Sequence, residues 1–230
     1  MSGLDRSPLS RAQRGVWLAQ QLDSVSSAYN VAQYTDIRGP LTPTLLLRAA
    51  RQAIAETEAL GVRFQESGAT AVQIRRERPD EWELPYVDLS GELLPREAAE
   101  RWMRESVERA VDLVAGPLFT VAVLRLSPEW HLLYLQGNHL VTDGYSGALI
   151  SGRAAEIYTA LARAEEPNER TFGTLPELLA QDADYRTSAA YDDDRAYWAE
   201  RLRDLPAPSA LSSRPVAPAG SATRRVGRIG

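Results

Sequence analysis

The chain of 230 residues is 44% hydrophobic and 25% charged, a globular composition long enough for one large domain or two small ones. Its formal charge of −5 opposes the concentrated basic surface that nucleic-acid phosphates require, and the one arginine-rich run, Arg75-Arg76-Glu77-Arg78, is short and interrupted by an acid. With no cysteine, the chain has no disulfide, no thiolate nucleophile and no Cys-type zinc site.

The opening residues, Met1 to Pro8, hold no apolar run of the signal-peptide kind, and no later stretch approaches the ~18 apolar residues of a membrane span. The expectation is a soluble cytoplasmic protein. Ser10 is a capping-type residue followed by Val16, Trp17, Gln20 and Gln21, which predicts a helix reaching about Asp23. Asn30 to Arg38 alternates as a strand, with Val31, Gln33, Thr35 and Ile37 on one face and Ala32, Tyr34 and Asp36 on the other. Pro43 opens a second helix whose stripe is Leu46, Ala49, Ala50, Ala53 and Ile54, ending before Gly61. Val62 to Gln65 and Ala71 to Arg75 flank Ser67-Gly68 as a hairpin. Leu84 to Val87 reads as a short strand.

From Pro95 a third helix is expected through Ala99, Met103, Val107, Ala110 and Val114, stopped by Gly116-Pro117. Leu118 to Leu126 and His131 to Asn138 are rich in strand formers and predict a long hairpin at the centre of a sheet. Ile150, Ala154, Ile157 and Leu161 then form a helical stripe, and two more helices are expected near 175–187 and 191–204. Between Pro206 and Ser221 the composition turns to Pro, Ala and Ser without periodicity, a linker or surface loop. Helices layered on a largely antiparallel sheet make the expected class α+β, a two-layer sandwich.

Only two histidines are present, His131 and His139, and histidine is the side chain best suited to proton transfer near neutral pH. His131 begins a strand beside Trp130 and reads as structural. His139 lies where the central hairpin ends and a helix begins, in Gly137-Asn138-His139-Leu140-Val141-Thr142-Asp143-Gly144-Tyr145-Ser146, a place where a rigid framework presents side chains to a loop. Asp143 is also a good helix cap and Gly144 a good turn residue, so the segment has a purely structural reading too. Gly144-Tyr145-Ser146-Gly147 misses the nucleophile-elbow spacing by one residue. Asp192-Asp193-Asp194 suits a helix N-terminus better than a metal, and no metal site is expected.

The Asn138 to Gly144 segment resembles the H-H-x-x-x-D-G signature of condensation domains of nonribosomal peptide synthetases. Three further stretches are similar to the family in the right order. Leu9-Ser10-Arg11-Ala12-Gln13-Arg14-Gly15-Val16-Trp17 is similar to its opening S-x-A-Q-x-x-x-W segment. Glu58-Ala59-Leu60-Gly61-Val62-Arg63-Phe64 resembles its H-E-x-L-R-x-x-F motif. Leu178 to Tyr185, with Tyr197-Trp198 and Leu202, resembles the aromatic segment that closes the first lobe. Ser27-Ala28-Tyr29-Asn30-Val31-Ala32 resembles the condensation domain that opens enterobactin-type siderophore synthetases.

The resemblance implies a chloramphenicol-acetyltransferase-like fold of the CoA-dependent acyltransferase type. Residues 1–205 would form the N-terminal lobe, and 206–230 a linker and the start of a C-terminal lobe. The active site lies between lobes, so this half by itself is expected to be inactive. An acyl or peptidyl group and an aminoacyl group arrive as thioesters on the 4'-phosphopantetheine arms of carrier domains, and the amine attacks the upstream thioester. No cofactor is bound directly. The implied partners are peptidyl or acyl carrier domains, an adenylation domain and the second lobe.

Within that scheme His139 is the reacting histidine. A neutral imidazole (pKa near ~6.5) can accept a proton from an α-amine (near ~8) or hold the amine in line. Helix-start donors such as the Gly144 N–H would support the oxyanion. Asp143 is expected to anchor the loop through an ion pair, for which Arg63, on the same strand face as Gly61, substitutes for the missing motif arginine. Asn138 stands where the first signature histidine is expected. That leaves a heterocyclisation-type variant open and, together with Gly61, a degenerate lobe that docks carriers without catalysis; the fold's relatives leave a third alternative, a free-standing acyltransferase using a CoA thioester.

Overall fold

The computed structural model describes residues 6–22, 27–68, 70–75, 82, 84–169 and 172–205; the expected linker from residue 206 lies outside them. Ser10 caps helix α1 (Arg11–Gln21) with a full capping box: its hydroxyl accepts from the Gln13 N–H and the Gln13 side chain accepts from the Ser10 N–H. Strand β2 (Asn30–Arg38) follows, then helix α2 (Pro43–Glu56), with Pro43 in its first turn, and a 3-10 turn over Glu58–Gly61. Strands β3 (Val62–Ser67) and β4 (Thr70–Arg75) form the expected hairpin, with Gly68 at φ +63° in its turn. A three-residue strand, β1 (Arg6–Pro8), adds to the edge of β4 and was not visible in the sequence, since three residues ending in proline carry no periodicity.

The larger sheet has the order β2-β7-β6-β5, where β5 is Tyr86–Asp88, β6 Phe119–Ser127 and β7 Trp130–Asn138. All pairs are antiparallel except β5 with β6, and the β6–β7 hairpin is central, as the sequence predicts. Three helices complete the described chain after it: α4 (Gly144–Ala162), α5 (Leu175–Arg186) and α6 (Ala189–Arg201).

Both faces of this sheet carry helices. Ala49, Ala50 and Ala53 of α2 let it pack closely with α4, and the pair covers Val121, Val123, Leu133 and Leu135. Helix α3 (Pro95–Val107) covers the other face, with Ala99 and Met103 on Ala122, Leu124, Leu132 and Tyr134. Leu124, Leu132 and Tyr134 are almost fully buried, which for side chains of this size is worth about 1.5–3 kcal/mol each. The buried Tyr134 hydroxyl is satisfied by donating to the Met103 carbonyl at 3.2 Å.

Helix α3 ends at Val107, one and a half turns to two turns short of the predicted Val114. Beyond it the predicted stripe does not hold: Ala110 and Val114 are exposed, and it is Leu113, with the half-buried Val111, that packs on the core. Asp112 Oδ1 accepts from the Val114 and Ala115 N–H groups at 2.8 and 2.9 Å, an Asx-type turn, and the Leu113 carbonyl accepts from the Phe64 N–H at 2.9 Å. The Asn30 amide donates to the Val107 and Arg109 carbonyls, closing the helix end. No described helix is long and apolar enough to cross a membrane.

Candidate active site at the end of the central hairpin

Strand β7 runs out at Asn138, and the next four residues turn sharply into α4. The Asn138 carbonyl accepts from both Val141 and Thr142 N–H groups, at 2.9 and 3.2 Å, while its own N–H donates to Leu118. Gly137 is required here: a Cβ on it would run into the Thr142 methyl group. Leu140, Val141 and Thr142 turn inward and are buried; His139 turns outward and is exposed. Its backbone N–H donates to the Tyr29 carbonyl at 2.7 Å, which ties the turn to the start of β2.

The His139 ring is oriented by one contact. Nδ1 lies 3.0 Å from the Thr142 carbonyl, which can only accept, so Nδ1 carries the hydrogen and the neutral ring keeps its lone pair on Nε2. A side chain that must take a proton needs that arrangement.

Asp143 caps α4. Its Oδ1 accepts from the Ser146 N–H at 2.7 Å and from the Ser146 hydroxyl at 2.6 Å. These two bonds hold the carboxyl below its ordinary range, and the neighbouring His139 adds a smaller pull in the same direction. Gly144 is the first residue of the helix, ahead of the first intrahelical bond from Gly147 N–H to the Asp143 carbonyl at 3.0 Å. Its N–H therefore belongs to the unpaired donors at the positive end of a 19-residue helix.

The expected Arg63–Asp143 ion pair is not formed. Arg63 is an exposed residue of β3, in the three-stranded sheet, whereas Asp143 sits at the end of the four-stranded one and its carboxylate is engaged by Ser146. Gly61 is buried and lines a cavity of about 700 Å³ with Trp102, Arg109 and Gln136. Asn138 is a structural anchor rather than a donor to an oxyanion: it is 1% exposed, its Oδ1 accepts from the Leu140 N–H at 3.0 Å, and its Nδ2 donates to Gln20 Oε1 at 3.2 Å.

Sequence reasoning missed the glutamines that hold this loop. Gln13 Nε2 donates to the Leu140 carbonyl at 2.9 Å and approaches Gln73 Oε1 at 3.3 Å, and Gln73 in turn donates to the Pro8 carbonyl at 2.9 Å. The available signal was that Gln13 and Gln20 fall on the same helix face as Trp17, which is buried against Phe64 with ring centroids 6.1 Å apart. His131 is remote from all this. It is 1% exposed on the opposite end of β7, with Nδ1 unpartnered and Nε2 3.5 Å from the Tyr86 hydroxyl. Among the described residues no three His, Asp or Glu side chains converge as a metal site.

A family model for the condensation domain matches residues 4–225. The chain belongs to the condensation domain family. It is 38% identical over 226 residues, 98% of its length, to the isonitrile lipopeptide synthase of Streptomyces coeruleorubidus. It is 32% identical over 212 residues, 91% of its length, to enterobactin synthase component F of Escherichia coli O157:H7. Of those two relatives it spans only 15% and 16%. Among solved condensation domains, a variant of the starter condensation domain of rhizomide synthetase in complex with C8-CoA matches with a TM-score of 0.86 and 37% identity, over 92% of this chain and 48% of that one. The first condensation domain of the CDA synthetase matches with a TM-score of 0.80 and 34% identity, over 90% of this chain and 53% of that one. The chain thus spans about half of the solved condensation domains it matches.

Proposed function

We propose that residues 1–205 are the N-terminal lobe of an amide-forming condensation domain in a cytoplasmic nonribosomal peptide synthetase, with His139 as the residue that acts on the attacking amine. The observation that carries this reading is the Nδ1–Thr142 contact, which leaves an exposed Nε2 lone pair at the end of the central hairpin. The substrates are two thioesters on the phosphopantetheine arms of carrier domains. The amine nitrogen of one attacks the carbonyl carbon of the other, and Nε2 accepts or orients the proton that the nitrogen sheds. The negative charge that develops on the carbonyl oxygen is met by the Gly144 N–H and the positive end of α4. Collapse of the tetrahedral intermediate breaks the carbon–sulfur bond, and the departing thiolate takes up the proton. Carrier domains, an adenylation domain and a second lobe are the partners this requires, and similarity to enterobactin synthase component F makes a siderophore one class of product.

The test is single-turnover amide formation by the full condensation domain with both carriers loaded. His139→Ala should slow it by about 10²–10⁴-fold while carrier binding is kept. Equal yield from the variant would overturn the assignment. Carrier binding without turnover in the native protein would instead support a docking-only lobe. A parallel arm with an acyl-CoA donor separates the carrier thioester from the CoA thioester.

A further inference from the structure

We propose that Gln20 is a positioning residue for His139, acting through Asn138. The proposal rests on the reading of His139 as the reacting group. Gln20 is 2% exposed, and its side chain is a buried amide on the inward face of α1. A helix stripe that must pack gains nothing from an amide there unless the amide has a partner to hold. Its partner is Asn138, which is as fully buried.

The bonding leaves one arrangement. The Leu140 N–H can only donate, so Asn138 must present Oδ1 to it. The Asn138 Nδ2 hydrogens then face α1, and only an acceptor can meet them, which Gln20 Oε1 does. Asn138 also supplies the carbonyl that closes the turn by accepting from Val141 and Thr142. Thr142 in turn supplies the carbonyl that fixes His139 Nδ1. A continuous series of contacts therefore runs from Gln20 through Asn138 and the turn to the His139 ring. Gln13, two helical turns before Gln20, holds the Leu140 carbonyl, so α1 grips the turn at two points, Asn138 and Leu140. Without the Gln20 oxygen, the Asn138 amide is left with a buried donor. It recovers a partner only by rotating away from Leu140, which frees the turn and the Thr142 carbonyl with it.

The experiment uses the full condensation domain with loaded carriers and compares Gln20→Leu, which keeps the volume and removes the acceptor, with Gln20→Glu, which keeps an acceptor. Gln20→Leu should lower kcat by about tenfold to a hundredfold with KM for the donor carrier unchanged, and Gln20→Glu should retain most of the rate. Nitrogen-15 spectra of the histidine rings, with the His139 signals assigned by their loss in His139→Gln, give a readout that does not depend on turnover. Neutral His139 should carry its proton on Nδ1 in the native protein and shift toward the Nε2–H form in Gln20→Leu. If the leucine variant does not melt cooperatively, Gln20→Met repeats the test with a more adaptable side chain. Retention of the Nδ1–H form in these variants overturns the proposal, whatever the rate. A tautomer shift supports it even if His139→Ala proves fully active, in which case it is the assignment of His139 to the reaction that falls.

Discussion

His139 and Asp143 lie four residues apart and do different work: one ring is left open to solvent, one carboxylate is consumed by its own helix. Because Asp143 is the N-cap of α4, Asp143→Ala should lower stability by about 1 kcal/mol, read as a fall in the denaturant midpoint, whereas Arg63→Ala should leave that midpoint unchanged. The cap also sets a pH dependence. Ser146 holds the carboxyl below its unfolded value near ~3.9, so its contribution is complete above that pH and is lost as pH falls through the lower folded value. His131 acts in a higher window. Burial first, and then the Arg125 charge, lower its pKa below 6.5, with Asp88 opposing. The unfolded chain therefore binds a proton below about 6.5 that the native chain refuses, and stability should fall as pH drops from there toward the lowered native value. Urea midpoints between pH 7.5 and 5.5 should slope less in His131→Leu than in the native protein.

Among the elements, the α2–α4 pair is held by one buried clamp. Arg153 of α4 is 2% exposed and meets Glu56 of α2 through two bonds, of 2.7 and 3.1 Å, and it donates to the Asn168 carbonyl at 2.7 Å. Its contact to the exposed Glu156 adds little. Glu56→Ala should cost about 3 kcal/mol by leaving the guanidinium buried without its main counter-charge, and the double variant Arg153→Met with Glu56→Leu should recover most of that, as a double-mutant cycle in urea would show. The apolar stripes of α2 and α4 were legible because 3.6-residue periodicity is local. The clamp was not, because Glu56 and Arg153 are 97 residues apart in the chain and nothing local marks either as paired. The end of α3 shows the limit of that period: it placed Ala110 and Val114 on the buried side, whereas in the non-helical stretch after Val107 both are exposed and Val111 and Leu113 pack on the core instead.

At the scale of the molecule, the central place of the β6–β7 hairpin followed from two adjacent runs of strand formers, but the parallel β5 and the three-stranded second sheet did not. Helices α5 and α6 bury no residue and expose Leu178, Tyr185, Tyr197 and Trp198, in a chain that spans about half of its solved relatives. By itself the sequence determined the class, the order of helices and strands from α1 onward, the family through its ordered motifs, and His139 as the residue to watch. These are local properties: spacing, capping, and short strings of residue types. Only the tertiary structure decided which nitrogen of His139 is free, that Asp143 serves Ser146 rather than Arg63, and that Gln20 reaches Asn138. Those outcomes depend on where a carbonyl or an amide from a distant segment comes to rest, and a hydrogen bond a few ångströms long exists only once packing has brought its two ends together.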